Sequence, residues 1–470
     1  MATISSALSL ISQALENNQA ALNVVANNVA NASTTGYTEE QPVWQMNSSV
    51  KINGVNYGTG STMTGAQSQR DIILNERLNQ QQQLYSASTT RLTALDSLQA
   101  VFTPASSSTS TSGNIGTSLS AFFSSFSTLE STPTSTALRE KVLSAAATLA
   151  SNISGAAASL EGQQSALDQE ATTVVTQINA LTKSIAELNQ KISENGSGST
   201  DAGVLEDQRQ LDLKQLSKLI GVNQVTTANN GLALTTTSGQ LLVSGSSSYD
   251  LTTGQSNGVT HIYVGTTDIT TSAQDGGGSL GGYLKARDVD VAGAISSLDQ
   301  LAYSVSSKVN ALNNSGQDMA GNTSNAGNIF YQSATVSGSA LSMSVVMTDP
   351  AHIAAASSTS GTGDNTNATA MADLANQTIV NGQTPSNYYS NFVSILGSTV
   401  TTVETQNSAQ SASVTQLQSQ VNSTSAVSLN SEASALTILQ RSYQAASQVY
   451  AILNTLMATA LNLGTQTTVS

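Results

Sequence analysis

The chain has 470 residues, of which 39% are apolar and 9% charged, and its formal net charge is -14 at pH 7. The apolar fraction can fill the cores of about two to four domains, which argues against a wholly disordered chain. Only 15 basic residues stand against 29 acidic ones, so the chain lacks the basic stripe that nucleic acid requires. The absence of cysteine excludes disulfides, thiol nucleophiles and cysteine-ligated metals.

The first segment of the sequence carries no secretory signal of the usual kind. Its first basic residues are Lys51 and Arg70, so the positively charged part of a signal peptide is missing. No stretch reaches the roughly 18 apolar residues of a membrane-spanning helix. We therefore expect no cleaved signal peptide and no membrane insertion, and any export requires another route.

The first predicted element is a long helix. Its apolar residues recur at alternating steps of four and three residues, which is the a/d spacing of a coiled-coil seam. The seam has one polar member, Asn18. Its apolar members are Ile4, Leu8, Ile11, Leu15, Leu22, Val25 and Val29.

A polar segment, NNVANASTTGYTEEQP (27–42), follows this helix. Asn27, Asn28 and Asn31 supply amides where the seam stops, and asparagine tolerates the left-handed turn that ends many helices. Gly36 lets the chain reverse. With Tyr37, this cluster predicts a helix end that also contacts a neighbouring molecule.

The middle of the chain predicts long helices and one β module. An extended hairpin is predicted over 41–65, and strand-like alternation with Asn-Gly and Ser-Gly turns predicts a small β module over 223–283. Residues 328–348 are expected to add strands to that module. Helical spacing of apolar residues covers 71–102, 137–160, 174–192, 204–220, 291–312 and 393–421.

The last predicted helix repeats the spacing of the first. Its seam runs through Leu429, Glu432, Leu436, Leu439, Tyr443, Ala446, Tyr450, Leu453, Met457 and Ala460. Further apolar residues lie off this seam: Ile438, Val449, Ile452, Leu456 and Leu463. Because this surface is wider than one stripe, a single partner helix cannot cover it.

Candidate catalytic and metal sites are weak. His261 and His352 are far apart and lack nearby metal-ligand spacing, so they are interpreted as surface histidines. A lone GxGxxG occurs in DGGGSLGG (275–282), but a long helix and no second strand follow it, which favours a hinge over a dinucleotide site. The acidic pairs at 39–40 and 206–207 are interpreted as solvated surface. We assign no catalytic, cofactor-binding or metal-binding residue and predict that the protein is not an enzyme.

Both ends of the chain resemble one known family. ANNVANASTTGYTEEQP (26–42) and VSLNSEASALTILQRSYQAASQVYAILNTLMATALNL (427–463) resemble the terminal segments of the bacterial flagellar axial family, which comprises rod, hook and hook-associated proteins. Interior segments, including AFFSSFSTLESTPTSTALREKVLSAAATLASNI (121–153) and GSLGGYLKARD (278–288), are similar to the hook-associated members that join hook to filament. This sequence departs from the family turn at Thr35, often proline, and at Glu39, often arginine, so we carry over no ion pair there.

The resemblance implies a structural protein of the extracellular flagellum, exported by the flagellar type III apparatus without a cleaved signal peptide. It implies polymerisation as the adaptor between hook and filament, required for filament assembly. The implied partners are further copies of the chain, the hook protein, the third hook-associated protein, and a cytoplasmic export chaperone that holds the C-terminal helix. The alternatives are another axial protein, such as the third hook-associated protein or a hook or rod subunit, and a secreted Ser/Thr-rich adhesin.

The predicted fold is mainly α with a small β module, in which the N- and C-terminal segments build a long coiled-coil-like helical bundle with discontinuous domains. Residues 1–35 and 425–470 form a helical assembly domain, disordered in the monomer. A long-helix rod domain comprises 36–222, 284–315 and 386–424, and an outer β-rich domain comprises 223–283 and 316–385. The predicted assembly interface consists of Ile4, Leu8, Ile11, Leu15, Leu22, Val25, Asn27, Asn28, Val29, Asn31, Gly36, Tyr37, Leu429, Leu436, Leu439, Tyr443, Tyr450, Leu453 and Met457.

Overall fold

The computed structural model describes residues 2–52, 54–102, 114–195, 200–226, 231–256, 258–323 and 326–466, and most of them are helical. The α-helices are α1 (Ala2–Asn31), α2 (Ile72–Phe102), α3 (Ile115–Glu130), α4 (Thr136–Asn195), α5 (Thr200–Leu219), α6 (Thr270–Gly276), α7 (Gly278–Lys285), α8 (Ala292–Ser315), α9 (Thr366–Asp373), α10 (Pro385–Ser425) and α11 (Leu429–Gln466). A π-helix (Ala286–Val291) joins α7 to α8, and a 3-10 turn covers Pro350–His352. The predicted mainly α fold, with long helices at both ends, is confirmed.

The strands form small antiparallel sheets. They are β1 (Glu40–Met46), β2 (Val50–Ile52), β3 (Val55–Tyr57), β4 (Ser61–Ser68), β5 (Val222–Thr226), β6 (Leu232–Thr236), β7 (Leu241–Ser244), β8 (Ser247–Ser248), β9 (Leu251–Ser256), β10 (Val259–Val264), β11 (Thr267–Asp268), β12 (Gly316–Gln317) and β13 (Ala356–Ser357). The strand β1 pairs with β4 around the inner pair β2–β3, so the predicted hairpin is present. The sheets β5–β8 and β9–β11 form the predicted β module.

Two apolar cores lie along the molecule. The first joins the C-terminal half of α2 to α3, α4, α8 and the start of α10, and Phe122, Phe126 and Phe330 are fully buried in it. The second joins the C-terminal half of α4 to α5, α6, α7 and the β module. The helix α4 contributes to both cores and therefore connects the helical part of the molecule to the β module.

The helices predicted over 137–160 and 174–192 are present, but both stretches belong to α4, which is one continuous helix of 60 residues. Buried apolar residues continue through the intervening turns at Leu160, Leu167 and Ala171. Gly155 and Gly162 have open space where a side chain would stand, so they weaken the helix without marking its end. Packing along both cores offsets that local weakness.

The prediction that 316–385 belongs with the β module is also wrong. This segment packs into the first core, and Ile329, Phe330 and Met343 are buried there. Between 328 and 348 the only pairing in the described chain is an isolated bridge between Phe330 and Val345.

Side chains of α8 explain why this segment stays irregular. Asn310 donates to the carbonyl of Phe330 at 2.9 Å and accepts from the N–H groups of Ile329 and Phe330 at 2.9 and 3.0 Å. Asp299 accepts from the N–H groups of Gly338 and Ala340 at 2.9 and 2.8 Å. These bonds satisfy buried backbone groups that a neighbouring strand would otherwise have to satisfy.

The glycine-rich segment forms a close crossing of two backbones. It lies between the helices α6 and α7, not after a strand, so the context that a dinucleotide site requires is missing. Gly278 has a φ of 72°, and a Cβ there would collide with the backbone of Leu219 and Ile220. The glycine therefore allows α7 to pass directly against the end of α5.

Candidate functional site: the terminal helices and their attachment

The helices α1 and α11 pack along each other, as the matching seams predict. Within this pair most seam side chains are only half-buried: Ile4, Leu8, Ile11, Leu15, Leu22, Leu436, Leu439, Leu453 and Met457. Val25 is buried at 4% exposure, whereas Val29 and Leu429 are exposed at 45% and 56%. Tyr443 and Tyr450 are each 36% exposed, so packing against α1 leaves both seam tyrosines partly uncovered.

A second apolar stripe of α11 is left uncovered by α1. It is formed by Ile438, Val449, Ile452 and Leu456, exposed at 62%, 43%, 60% and 52%. The steps between them are 11, 3 and 4 residues. Because 11 residues make about three helical turns, all four lie on one face beside the seam. Exposed contiguous apolar surface of this kind is typical of an interaction site.

Asn28 joins the end of α1 to the start of α11. It is 1% exposed. Its Nδ2 donates to the carbonyl of Glu40 at 2.8 Å and to Oε1 of Glu432 at 3.0 Å. Its Oδ1 accepts from the N–H of Glu40 at 3.0 Å and from the hydroxyl of Tyr37 at 2.8 Å. Its own chain therefore encloses Asn28, and the predicted contact with a neighbouring molecule stays a prediction.

The neighbouring polar residues have local roles. The Nδ2 of Asn31 donates to Oδ1 of Asn27 at 2.5 Å, and both side chains are half-buried. The expected left-handed asparagine is absent here, since Asn381 is the one non-glycine residue with a positive φ in the described part of the chain. Gly36, with a φ of 87°, makes the turn instead, as expected.

The attachment extends from β1 to α5 and α10. The N–H of Thr38 donates to Oδ2 of Asp207 at 2.9 Å, and Arg70 pairs with Asp207 and, at 3.6 Å, with Glu206. The hydroxyl of Ser425 donates to the carbonyl of Gln69 at 2.9 Å. The end of α1 and the start of α11 are thus attached to the long helices by a polar network, called the root below. It consists of Asn28, Thr38, Glu40, Arg70, Asp207, Ser425 and Glu432.

Two acids at this root, Glu40 and Glu432, are buried, and Glu40 belongs to a pair that was interpreted as solvated surface. Glu40 is 3% and Glu432 is 5% exposed. Burial, followed by the charges of Asp207 and Glu206, raises the pKa of Glu40 above 4.5. Burial also raises the pKa of Glu432 above 4.5, with Glu39 adding to the shift and the hydrogen bond from Asn28 opposing it. Sequence neighbours alone could not reveal this, because the burial comes from four separate elements.

The hairpin lies against the polar side of α1. Asn17, which is 9% exposed, donates through Nδ2 to the carbonyl of Ser61 at 2.6 Å and accepts from the N–H of Met63 at 3.0 Å. Gln13 donates to the hydroxyl of Thr62 at 2.7 Å. Sequence analysis missed Asn17, although its position beside the seam residue Asn18 was a signal that this face of α1 is also covered.

The histidines do not form a shared site. His261 pairs with Asp268 at 2.7 Å in the β module, and His352 pairs with Asp318 at 2.8 Å beside the helical core. Across the described ranges no group of three or more His, Cys, Asp or Glu side chains is arranged to hold a metal ion. None of the described helices combines the length and the apolar character needed to cross a bilayer.

An apolar groove of about 360 Å³ lies on the helical part, between α2, α8 and the start of α10. Its lining includes Leu95, Val289, Phe392 and Ile395. Asp290 at its edge is held by a two-pronged ion pair with Arg91, both contacts being 2.8 Å long. Because its one acid is already paired, this groove offers no convergent set of catalytic groups.

Comparison with known proteins agrees with this architecture. The family described as "Flagellar hook-associated protein FlgK helical domain" matches residues 105–330, and the one described as "Flagella basal body rod protein" matches residues 11–38. Flagellar hook-associated protein 1 of Salmonella typhimurium is 27% identical over 546 aligned positions, which cover 95% of this chain and 97% of that protein. The protein of the same name from Bacillus subtilis is 25% identical over 504 positions, covering 96% of each.

A solved structure, described as the flagellar hook junction protein FlgK from Burkholderia pseudomallei, shares the fold. Its TM-score is 0.65 at 19% identity, and the match covers 75% of this chain and 100% of that chain. The chain is thus similar along nearly its whole length to flagellar hook-associated protein 1, and it shares the fold of a flagellar hook junction protein.

Proposed function

We propose that this protein is a structural component of the bacterial flagellum, which polymerises as the adaptor between hook and filament and is required for filament assembly. The observation that carries this proposal is the exposed apolar stripe of α11, in a chain similar to hook-associated protein 1 over 95% of its length. That extent of similarity favours the junction protein over another axial subunit or a secreted adhesin.

The energetics of the stripe support assembly. Full burial of a large aliphatic side chain contributes about 1.5–3 kcal/mol, so covering the exposed half of four such residues contributes about 3–6 kcal/mol per subunit. A second copy of the chain offers the complementary half-exposed seam residues of its own α1. We therefore place the contact between copies at the stripe together with the half-buried seam.

Partners and location follow the same proposal. The protein is exported to the extracellular flagellum by the type III apparatus without a cleaved signal peptide. It contacts its own copies, the hook protein and the third hook-associated protein, and an export chaperone covers α11 beforehand. Its role is structural and not enzymatic, in keeping with its family.

We also propose that α1 and α11 reach their final order only on assembly. Their mutual contact leaves most seam residues half-exposed, and isolated helices of this kind are marginal in water. Neighbouring copies would supply the missing cover. Limited proteolysis of the purified monomer tests this: cleavage is expected in the parts of both helices that are remote from Asn28 and Glu432, and uncut ends would contradict the proposal.

The function is tested in a strain that lacks this gene. We expect intact hooks, no filaments, and monomeric flagellin in the medium, with filaments restored by the wild-type gene. Ile452→Asp, which places a charge in the exposed stripe, should be exported but should not restore filaments. Gln440→Asp, at an exposed position of α11 on the side opposite the stripe, should restore them. Filaments in the deletion strain would refute the junction role, and full rescue by Ile452→Asp would refute the stripe as the contact.

A further inference from the structure

Two carboxyl groups at the root of the terminal helices are buried with incomplete hydrogen bonding. Glu40 lies in β1 and Glu432 in the first turn of α11, and Asn28 contacts both residues. In each carboxyl the second oxygen, Oε2, has no hydrogen-bond partner among the described residues. Burying an ionised carboxylate in this position costs free energy because its hydration is lost. The protonated form carries no charge and has an O–H group that can donate a hydrogen bond.

The space around Glu40 is tight. Gly203 of α5 packs so closely on its carboxyl group that a Cβ at this position would collide with Oε1. The carboxyl group therefore cannot relax toward α5 to reach water or a new partner. Glu40 must therefore gain or lose its proton without moving its carboxyl group out of this buried position.

Most of the surrounding charge is negative. Asp207 and Glu206 of α5 act on Glu40, and Glu39 acts on Glu432. Arg70 pairs with Asp207 and Glu206. The titratable and charged groups that face the two carboxyls or their immediate neighbours are Tyr37, Glu39, Arg70, Glu206, Asp207 and Arg209.

The direction of the pH effect follows from the raised pKa of both acids. A pKa above the usual 4.5 means that the docked state binds protons more tightly than the undocked state. The penalty for docking is absent below the undocked pKa and grows as the pH rises through the docked pKa. Docking is therefore stronger in mild acid and weaker at neutral pH.

We propose that Glu40 and Glu432 form a proton-controlled latch, closed when both carboxyls are protonated and loosened when they ionise, that attaches the terminal helix pair to the long helices. The proton comes from solvent and returns to it. At neutral pH the loosened latch leaves α11 free to change its packing when another copy binds. The latch is a property of the single chain, so it does not depend on the junction role.

Hydrogen–deuterium exchange of the full-length monomer tests the latch, with rates corrected for the intrinsic pH dependence of exchange. Between about pH 8 and about pH 4.5, protection of β1 and the first turns of α11 should rise about tenfold for each unit by which the docked pKa exceeds the undocked one. Peptides of α3, deep in the first core, should show no such change.

Variants separate the latch from general acid effects. The double variant Glu40→Gln with Glu432→Gln should keep high protection at both pH values, because neither side chain can ionise. Glu16→Gln removes an exposed carboxylate of α1 and should retain the wild-type response. Wild-type protection that does not change with pH, or an unchanged response in the double variant, overturns the proposal. If the double variant does not fold, the wild-type titration and the single variant Glu432→Gln still decide it.

Discussion

Replacing Asn28 by leucine removes the side chain that ties α1 to α11. Asn28 makes four hydrogen bonds, with the N–H and carbonyl of Glu40, the carboxylate of Glu432 and the hydroxyl of Tyr37, at 2.8–3.0 Å. Leucine has a similar shape but neither donates nor accepts a hydrogen bond. The substitution therefore tests the hydrogen bonds and not the volume of the side chain.

The magnitude follows from the kinds of bond that are lost. A net hydrogen bond between neutral groups contributes about 0.5–1.5 kcal/mol, and one to a charged group about 1.5–3 kcal/mol, so the four together contribute about 3–7 kcal/mol. Tyr37 is half-buried and can turn its hydroxyl to water, which favours the lower part, about 3–4 kcal/mol. The undocked population should then rise by a factor of roughly 10² to 10³.

Hydrogen–deuterium exchange of the monomer measures this change. We expect faster exchange in β1 and the first turns of α11, with α3 and α8 unchanged because they lie in the first core. Asn23→Leu is the matched control, since Asn23 is exposed on the same helix. Unchanged protection in Asn28→Leu, or an equal loss in Asn23→Leu, would refute the assignment of Asn28 as the link. Filament rescue by Asn28→Leu should also fail, because α11 no longer has a fixed starting point.

Three further substitutions test contacts that hold the rest of the fold together. Gly278→Ala should lower the free energy of unfolding by at least about 2 kcal/mol in urea denaturation, because its Cβ collides with the α5 backbone, whereas Gly293→Ala, in open space within α8, should raise it by up to about 1 kcal/mol. Arg287→Ala leaves Asp168 and Asp288 without their buried partner and should cost about 3–5 kcal/mol, against at most about 1 kcal/mol for the surface pair of Lys285. Burial raises the pKa of Asp168, but hydrogen bonds from Thr260 and Arg287 outweigh it and hold the pKa below 3.8. The stability that this carboxylate contributes is therefore complete above about pH 3.8 and is lost as the pH falls through the lowered pKa. In Arg287→Ala this acid dependence of thermal unfolding should weaken. Asn310→Ala leaves three backbone groups of 329–330 without partners and should cost about 2–4 kcal/mol in the same denaturation assay, while Asn391→Ala, at an exposed position of α10, should have little effect.

Local pattern accounts for the parts of the fold in which periodicity repeats over many residues. The seams of α1 and α11, the helix α10 and the β module all follow apolar spacing or turn chemistry that the sequence displays directly. The width of the apolar surface on α11 was also predictable, since residues off the seam are visible in the spacing, and Ile438 and Ile452 are indeed exposed.

Other features depend on contacts between residues that are far apart in the sequence. The apolar spacing left the stretch between 160 and 174 unassigned, whereas α4 is continuous there, because packing against two cores outweighs the weak turns at Gly155 and Gly162. The sequence predicted strands at 328–348, because it could not show that the α8 side chains Asn310 and Asp299 would satisfy that backbone.

The sequence by itself determined that both ends of this protein form long apolar helices, since a heptad needs only local spacing to be recognised. The tertiary structure decided how those helices are attached. Asn28 and Glu40 become buried because α1, β1, α5 and α11 converge on them from positions up to 404 residues apart in the chain. Burial and pKa depend on that convergence, and no local pattern in the sequence encodes it.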